Sequence, residues 1–140
     1  MGDPALRVLG LDHVVLRVRD LGAALRFYGD VLGCREERRL DALGLVQLRA
    51  GAQLIDLVSV EGPLGRLGGD AAGSGARNMD HFAVRLERFD EPALRAHLAA
   101  HGVAPGDVGL RYGAEGDGPS MYVKDPDGNT VELKGPPGPI

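Results

Sequence analysis

The chain carries the same short motif twice, and this repeat constrains the fold more than any other feature of the sequence. Residues 11–18 are LDHVVLRV and residues 79–86 are MDHFAVRL, so the two copies begin 68 positions apart in a chain of 140 residues. An interval close to half the chain indicates one structural unit that is used twice. Because a unit of this size cannot bury both a helix face and a sheet by itself, we expect the two halves to pair.

Each copy of the motif is followed by the same succession of elements. Asp20 and Asp90 predict the N-caps of two helices, and Gly33 and Gly102 predict where those helices end. Three strand-like runs follow each helix, at 38–40, 43–48 and 53–60 in the first half and at 103–111, 120–124 and 129–134 in the second. The pattern predicts an α+β protein that consists of two βαβββ modules.

The expected organisation is a single domain over residues 9–135. Module 1 covers about 9–61, a Gly- and Ala-rich linker covers 62–77, and module 2 covers about 78–135. Residues 136–140 are rich in Pro and Gly, and we expect them to form a disordered tail.

Strand parity places four chemically similar residues on one surface. In the first strand of each half, the alternating apolar positions predict the face that packs on the helix, which leaves His13 and His81 on the opposite face. In the last strand of each half, Asp56 and Glu132 lie between aliphatic neighbours and share that opposite face. A carboxylate between aliphatic residues on a central strand is costly without a partner.

Two imidazoles and two carboxylates on one surface suit a divalent transition-metal ion. Each of these residues alone is also compatible with an ordinary strand, so the prediction depends on their equivalent positions in the repeat. Imidazole is a good ligand for Zn, Fe, Ni and Co, and carboxylate tolerates Mn. The sequence therefore predicts one divalent ion, of a type that stays open among Ni, Co, Zn, Mn and Fe, held by His13, Asp56, His81 and Glu132. Four protein ligands would leave room for a substrate oxygen.

Composition excludes several other classes of protein. The net charge of −4 offers no basic surface for nucleic acid. No run of 18 apolar residues is present, so we expect no membrane span, and the first residues lack the features of a secretory signal. Cys34 is the single cysteine, which fits a reducing compartment, and we expect a cytoplasmic location.

Together with FYGDVLG at 27–33 and DPDGNTVEL at 125–133, the two His motifs resemble the vicinal oxygen chelate superfamily. This superfamily includes glyoxalase I, fosfomycin-resistance enzymes, bleomycin-binding proteins and extradiol dioxygenases. Residues 77–82 and 111–120 are most similar to bacterial glyoxalase-like proteins, some of them labelled virulence-associated. The resemblance implies a cup-shaped, partly closed eight-stranded sheet with the helices outside, and one metal ion held in the cup by the four residues named above.

Among the activities of this superfamily, the resemblance favours that of a metal-dependent lyase or isomerase similar to glyoxalase I, the lactoylglutathione lyase. Such an enzyme abstracts a proton next to a carbonyl group of a small oxygenated substrate and stabilises the resulting enediolate. Glu132 is our first choice of base and Asp56 the second, although glyoxalase I usually has Glu at the position of Asp56. Alternatives are a fosfomycin-resistance-type hydrolase or transferase, a metal-free drug-binding protein and an Fe(II) dioxygenase.

Three further residues are candidates for contact with the substrate. Residues 116–122 resemble the loop and strand of fosfomycin enzymes in which a Ser and a Tyr meet the ligand, and here Ser120 and Tyr122 share one strand face. Arg111, from the neighbouring similar stretch, completes the set. An ordinary strand explains this pattern equally well.

A small molecule and a second copy of the chain are the partners that we expect. Relatives pair modules within one chain or between chains, and the segment 61–78 is long enough for exchange between subunits. In an exchanged homodimer, His13 and Asp56 of one copy would meet His81 and Glu132 of the other.

Overall fold

The structure, a computed structural model, describes residues 7, 9–73 and 79–138. The first module contains β1 (His13–Val18), α1 (Leu21–Leu25), β2 (Arg35–Leu40), β3 (Leu45–Ala50) and β4 (Gln53–Ser59). The second contains β5 (Phe82–Arg85), α2 (Glu91–Ala100), β6 (Val108–Gly113), β7 (Gly116–Lys124) and β8 (Thr130–Lys134). The predicted α+β class and the βαβββ order are confirmed. Part of the predicted linker, at 74–77, and the last two residues of the predicted tail lie outside the described residues.

The eight strands form two separate sheets of four. Their strand orders are β1-β4-β3-β2 and β5-β8-β7-β6, with the first and last strands of each module parallel and the other neighbours antiparallel. Within the described ranges, no strand of one sheet pairs with a strand of the other. The expected eight-stranded sheet is therefore not closed within this chain. The outer strands β1 and β5 belong to different sheets, and the helical segment of module 1 packs against both sheets.

The first helix begins and ends where the sequence predicts, but its turns widen along the way. The Asp20 carboxylate accepts a hydrogen bond from the Ala23 backbone N–H at 3.0 Å, which caps the first turn. After α1 the chain continues as a π-helical segment over Arg26–Val31 and stops at Gly33, whose φ of 80° is a left-handed conformation. The apolar spacing predicts a regular α-helix for this whole segment. Over such a short length, α-helical and π-helical turns place most residues on the same side, so the spacing does not distinguish them.

The second helix follows its prediction at both ends. The Asp90 carboxylate accepts from the Ala93 N–H at 3.1 Å, and Gly102 with a φ of 70° follows the last turn. The Nε2 atom of His97 donates to the Val31 carbonyl oxygen at 2.7 Å. This bond joins the second helix to the end of the π-helical segment, so the helical parts of the two modules are in contact.

Tyr28 links the two modules inside the apolar core. Its ring stacks on that of Phe82 in β5, with the centroids 6.4 Å apart, and its hydroxyl donates to the Asp125 carboxylate at 2.7 Å. Asp125 also accepts from the backbone N–H groups of Asp127 and Asn129 and so organises the β7–β8 turn. Burial raises the pKa of Tyr28, which keeps the hydroxyl protonated as a donor.

The segment after β4 is tied back onto the sheet of the first module. The Arg17 side chain, at the end of β1, donates to the carbonyl oxygens of Gly65, Gly69 and Asp70, around a short 3₁₀ turn at Gly65–Gly68. The guanidinium group thereby satisfies three backbone acceptors with one side chain. In the described part of the chain, no helix is both long enough and apolar enough to cross a membrane.

Replacement of Tyr28 by Phe should lower the free energy of unfolding by about 1–3 kcal/mol, because the buried Asp125 carboxylate loses one donor. Urea denaturation followed by circular dichroism measures this change. Tyr112→Phe is the matched control, since Tyr112 is 81% exposed and its loss of a hydroxyl should be within about 0.5 kcal/mol of zero. Equal unfolding free energies for Tyr28→Phe and the native protein would contradict the role assigned to this bond.

Candidate metal centre

The two predicted histidine ligands share one feature, an aspartate carboxylate beside the Nδ1 atom. His13 opens β1 and His81 lies immediately before β5, and the Nδ1 atom of each is 2.7 Å from the carboxylate of the preceding residue, Asp12 or Asp80. A carboxylate accepts only, so Nδ1 carries a proton, and in the neutral imidazole Nε2 is the atom left for a metal ion. The same hydrogen bonds raise the pKa of both imidazoles.

Asp56 is a buried carboxylate with one oxygen left without a partner. It lies in β4 between Val15 of β1 and Gln47 of β3, and it is only 4% exposed. Its Oδ2 atom accepts from the Gln47 amide at 3.0 Å, whereas Oδ1 is buried and has no hydrogen-bond partner among the described residues. Because such an atom is costly in a folded protein, a cation at this position is a physical reason for its presence.

Glu132 occupies the equivalent place in the second module. It lies in β8 between Ala83 of β5 and Tyr122 of β7, and it is 7% exposed. Its Oε1 atom is 3.1 Å from Nε2 of His81. Ligand bonds of about 2.1 Å at a right angle separate two donor atoms by about 3 Å, so this pair has the spacing of adjacent ligands on one ion.

The structure brings the four predicted ligands together as two pairs. His81 contacts Glu132 directly, and the charge of Asp56 lies close enough to His13 to raise the pKa of its imidazole. Within the described ranges, no three His, Cys, Asp or Glu side chains are placed so that they could hold an ion together. Each chain therefore presents two pairs of candidate ligands, one on each module, termed the first and second half-sites.

A cavity of about 830 Å³ separates the two modules near the histidines. His13 and His81 both line it, together with apolar side chains of β1, β4 and β5 and the thiol of Cys34, whereas Asp56 and Glu132 do not. Burial raises the pKa of Cys34, which keeps that thiol protonated. The cavity is consequently not the metal centre, although it borders on both half-sites.

The three predicted substrate residues form one cluster beside the second half-site. An Arg111 Nη atom donates to the Ser120 hydroxyl at 2.8 Å and to the Ser120 carbonyl at 3.0 Å. The guanidinium carbon lies 4.3 Å from the centroid of the Tyr122 ring, and that ring meets His81 edge-on at 5.4 Å between centroids. Arg111 is also held by Asp107 at 2.7 Å. A ligand bound at His81 and Glu132 would therefore touch this cluster.

Sequence reasoning did not assign a role to Asp12, Asp80 or Gln47. A signal for the two aspartates was available, because an Asp precedes the His in both copies of the repeat. Gln47 gave no such signal, since its place beside Asp56 follows from strand register, which the sequence does not display.

Comparison with protein families identifies the class to which this fold and site belong. Residues 10–133 match the model of the Glyoxalase/Bleomycin resistance protein/Dioxygenase superfamily. The chain belongs to this superfamily, and the resemblance seen in the sequence motifs is confirmed.

Two curated proteins show the range of the relatives. Virulence protein STM3117 of Salmonella typhimurium is 30% identical over 127 residues, which cover 88% of this chain and 81% of that protein. Catechol-2,3-dioxygenase of Bacillus subtilis is 27% identical over 124 residues. The match covers 88% of this chain, but it spans only 40% of the length of the dioxygenase.

Solved structures with the same fold extend that range. An integron cassette protein of Vibrio cholerae has a TM-score of 0.72 at 26% identity and covers 93% of this chain and 97% of its own. Lactoylglutathione lyase of Agrobacterium tumefaciens has a TM-score of 0.66 at 26% identity, with 91% and 94% covered. The fosfomycin resistance protein FosX of Listeria monocytogenes, at 22% identity and a TM-score of 0.67, covers 91% of each chain and shares the fold. Membership therefore defines the fold and a range of chemistry that includes lyases and dioxygenases.

Proposed function

We propose that the protein is a metal-dependent lyase or isomerase of the glyoxalase I kind, acting on a small oxygenated substrate. The observation that carries this proposal is the second half-site, where His81 Nε2 and Glu132 Oε1 lie 3.1 Å apart. The unpartnered Oδ1 of Asp56 in the first half-site supports it. A divalent ion bound by His13, Asp56, His81 and Glu132 would supply Lewis-acid stabilisation of negative charge on a substrate oxygen.

Glu132 is the better placed of the two carboxylates to move a proton. Its Oε1 atom is in contact with the Nε2 atom of His81, a group on the proposed metal, whereas the Oδ2 atom of Asp56 is held by the Gln47 amide. The longer Glu side chain also has one more rotatable bond. In the proposed reaction, a Glu132 oxygen takes the proton next to the substrate carbonyl and returns it to the neighbouring carbon.

The cluster of Arg111, Ser120 and Tyr122 supports a binding role for the adjacent surface. The Arg111 guanidinium stacks over Tyr122 and bonds Ser120, so the three side chains are held in fixed positions next to Glu132. The same cluster favours the second candidate function, a fosfomycin-resistance-type hydrolase or transferase, because FosX shares the fold and this set of residue types resembles the ligand contacts of such enzymes.

We further propose a homodimer in which each site is completed by a second copy. The two half-sites of one chain do not converge, and β1 and β5 each pair on one side only within the described ranges. Leu11 and Val15, next to His13, are 78% and 50% exposed, which leaves apolar surface that a second copy would cover. His13 and Asp56 of one copy would then face His81 and Glu132 of the other.

The purified protein should hold one divalent ion per chain. His81→Ala and Glu132→Gln should each abolish tight binding, because the remaining ligands cannot compensate for a lost neighbour. Metal analysis after reconstitution with Ni, Co, Mn or Zn measures this, with His101→Ala, on the exposed end of α2, as the matched control. Less than about a tenth of an equivalent in the native protein would refute the metal site.

Light scattering should give twice the mass of the chain, and mixed dimers should reveal whether sites are shared. Co-expression of His13→Ala with His81→Ala creates heterodimers that have one doubly altered site and one intact site. About a quarter of the sites should then recover tight metal binding, as expected for random pairing in a twofold assembly. A monomer mass at micromolar concentration, or no recovery in the mixture, would argue against the shared site.

Loss of the base should slow turnover by on the order of 10²–10⁴ in Glu132→Gln, assayed at a metal concentration that saturates its weakened site, with a smaller effect in Asp56→Asn. Metal content must be measured in the same samples, since only a variant that retains its ion reports on proton transfer. Methylglyoxal with glutathione or another thiol, and fosfomycin with water or a thiol, are the substrates to compare. Activity on fosfomycin without activity on any oxoaldehyde adduct would favour the second candidate function.

A further inference from the structure

We infer that Asp12, Asp80 and Gln47 are positioning residues, which determine the atom that each of three ligand side chains presents to the metal. The inference rests on the metal site proposed above and assigns no ligand role to these three residues. Each of them forms a hydrogen bond with a proposed ligand residue, at an atom other than the one proposed to bind the metal.

The two aspartates act on the histidines in the same way. Asp12 and Asp80 occupy equivalent positions of the repeat, and each accepts from the Nδ1 of the next residue at 2.7 Å. This is a short, charge-assisted hydrogen bond, and in the neutral imidazole that a metal requires it keeps the proton on Nδ1 and leaves Nε2 as the ligand atom. In the second half-site, that Nε2 is the atom already 3.1 Å from the Glu132 carboxylate.

Neither aspartate has a packing role that would explain its position. The side chains of Asp12 and Asp80 are 91% and 97% exposed, and each carboxylate lies 2.7 Å from the imidazole of the next residue. Substitution by Asn therefore removes no buried surface. It replaces an obligate acceptor by an amide that can also donate, so the imidazole is no longer confined to one tautomer.

Gln47 acts on the third ligand. Strand register places it beside Asp56, and its amide nitrogen donates to Oδ2 at 3.0 Å, which leaves Oδ1 as the oxygen available to an ion. The equivalent neighbour of Glu132 in the second module is Tyr122, whose ring contacts His81 instead. Asp56 is thus a fixed ligand bound through one oxygen, whereas Glu132 keeps the freedom that a base requires.

Changes to groups that orient a metal ligand typically weaken metal binding by about 10- to 100-fold. We expect Asp12→Asn, Asp80→Asn and Gln47→Leu to weaken Co²⁺ binding within that range, measured by competition with a chromophoric chelator. The absorption spectrum of bound Co²⁺ should change as well, because the ligand geometry is less uniform. The unfolding midpoint of the metal-free protein should stay unchanged in Asp12→Asn and Asp80→Asn, which a merely structural role would not predict.

Two further variants separate positioning from general charge effects. Glu91→Gln makes the same carboxylate-to-amide change and breaks the 2.8 Å pair with Arg95 on α2, yet it should leave Co²⁺ affinity unchanged. In a His81→Ala background, Asp80→Asn should cause no additional loss of affinity, since its effect passes through the missing imidazole. Asp80→Glu, which keeps the acceptor, should recover part of the affinity lost in Asp80→Asn.

The possible outcomes distinguish this inference from the proposed function. Tight Co²⁺ binding by the native protein, with equal affinity in Asp12→Asn, Asp80→Asn and Gln47→Leu, would overturn the positioning roles and leave the metal site in place. A native protein that binds no Co²⁺ would overturn the proposed metal site and this inference together.

Discussion

Parallel pairing between the first and last strands of each module is the constraint on which the candidate site depends. It sets Val15 beside Asp56 and Ala83 beside Glu132, so in both modules the carboxylate lies next to the second residue after the histidine. Parallel neighbours need a long connection, which the helix and two further strands supply. A slip of one residue would turn the carboxylate toward the helices, where a charge has no partner.

The relation between the modules depends on a different contact. Tyr28 reaches from the π-helical segment to Asp125 in the β7–β8 turn, and His97 reaches from α2 to Val31. These bonds join the helical side of one module to the other, and the apolar core runs through both. The faces that carry the histidines remain outside this contact, which explains how one chain can be well packed and still hold two half-sites apart.

The repeat and the strand parity were sufficient to predict the module order and the helix caps, whereas the shared metal site of the four ligand candidates stays a prediction. The parity prediction is confirmed in β1, where Leu16 and Val18 are buried and Val15 is exposed. The separation of the sheets could not be predicted, because parity orients a strand within its sheet and contains no information on which outer strands meet. The π-helical turns and the Gln47–Asp56 bond depend on local winding and on register, which the pattern of residue types does not show.

The electrostatics of the two half-sites indicate what the isolated chain still lacks. Asp56 and Glu132 are buried carboxylates, and the imidazoles beside them carry their protons on the side that faces Asp12 and Asp80. Two carboxylates therefore lie beside one imidazole in each half-site, with an unpartnered oxygen in one of them. Such an arrangement is unfavourable until a cation neutralises it. A divalent ion shared by two half-sites would be in contact with the buried carboxylates of both, twice as many as an ion held by one half-site. The charge distribution thus supports the proposal that one ion is shared by the two half-sites, and the exposed apolar residues beside His13 are surface that the proposed second copy would cover.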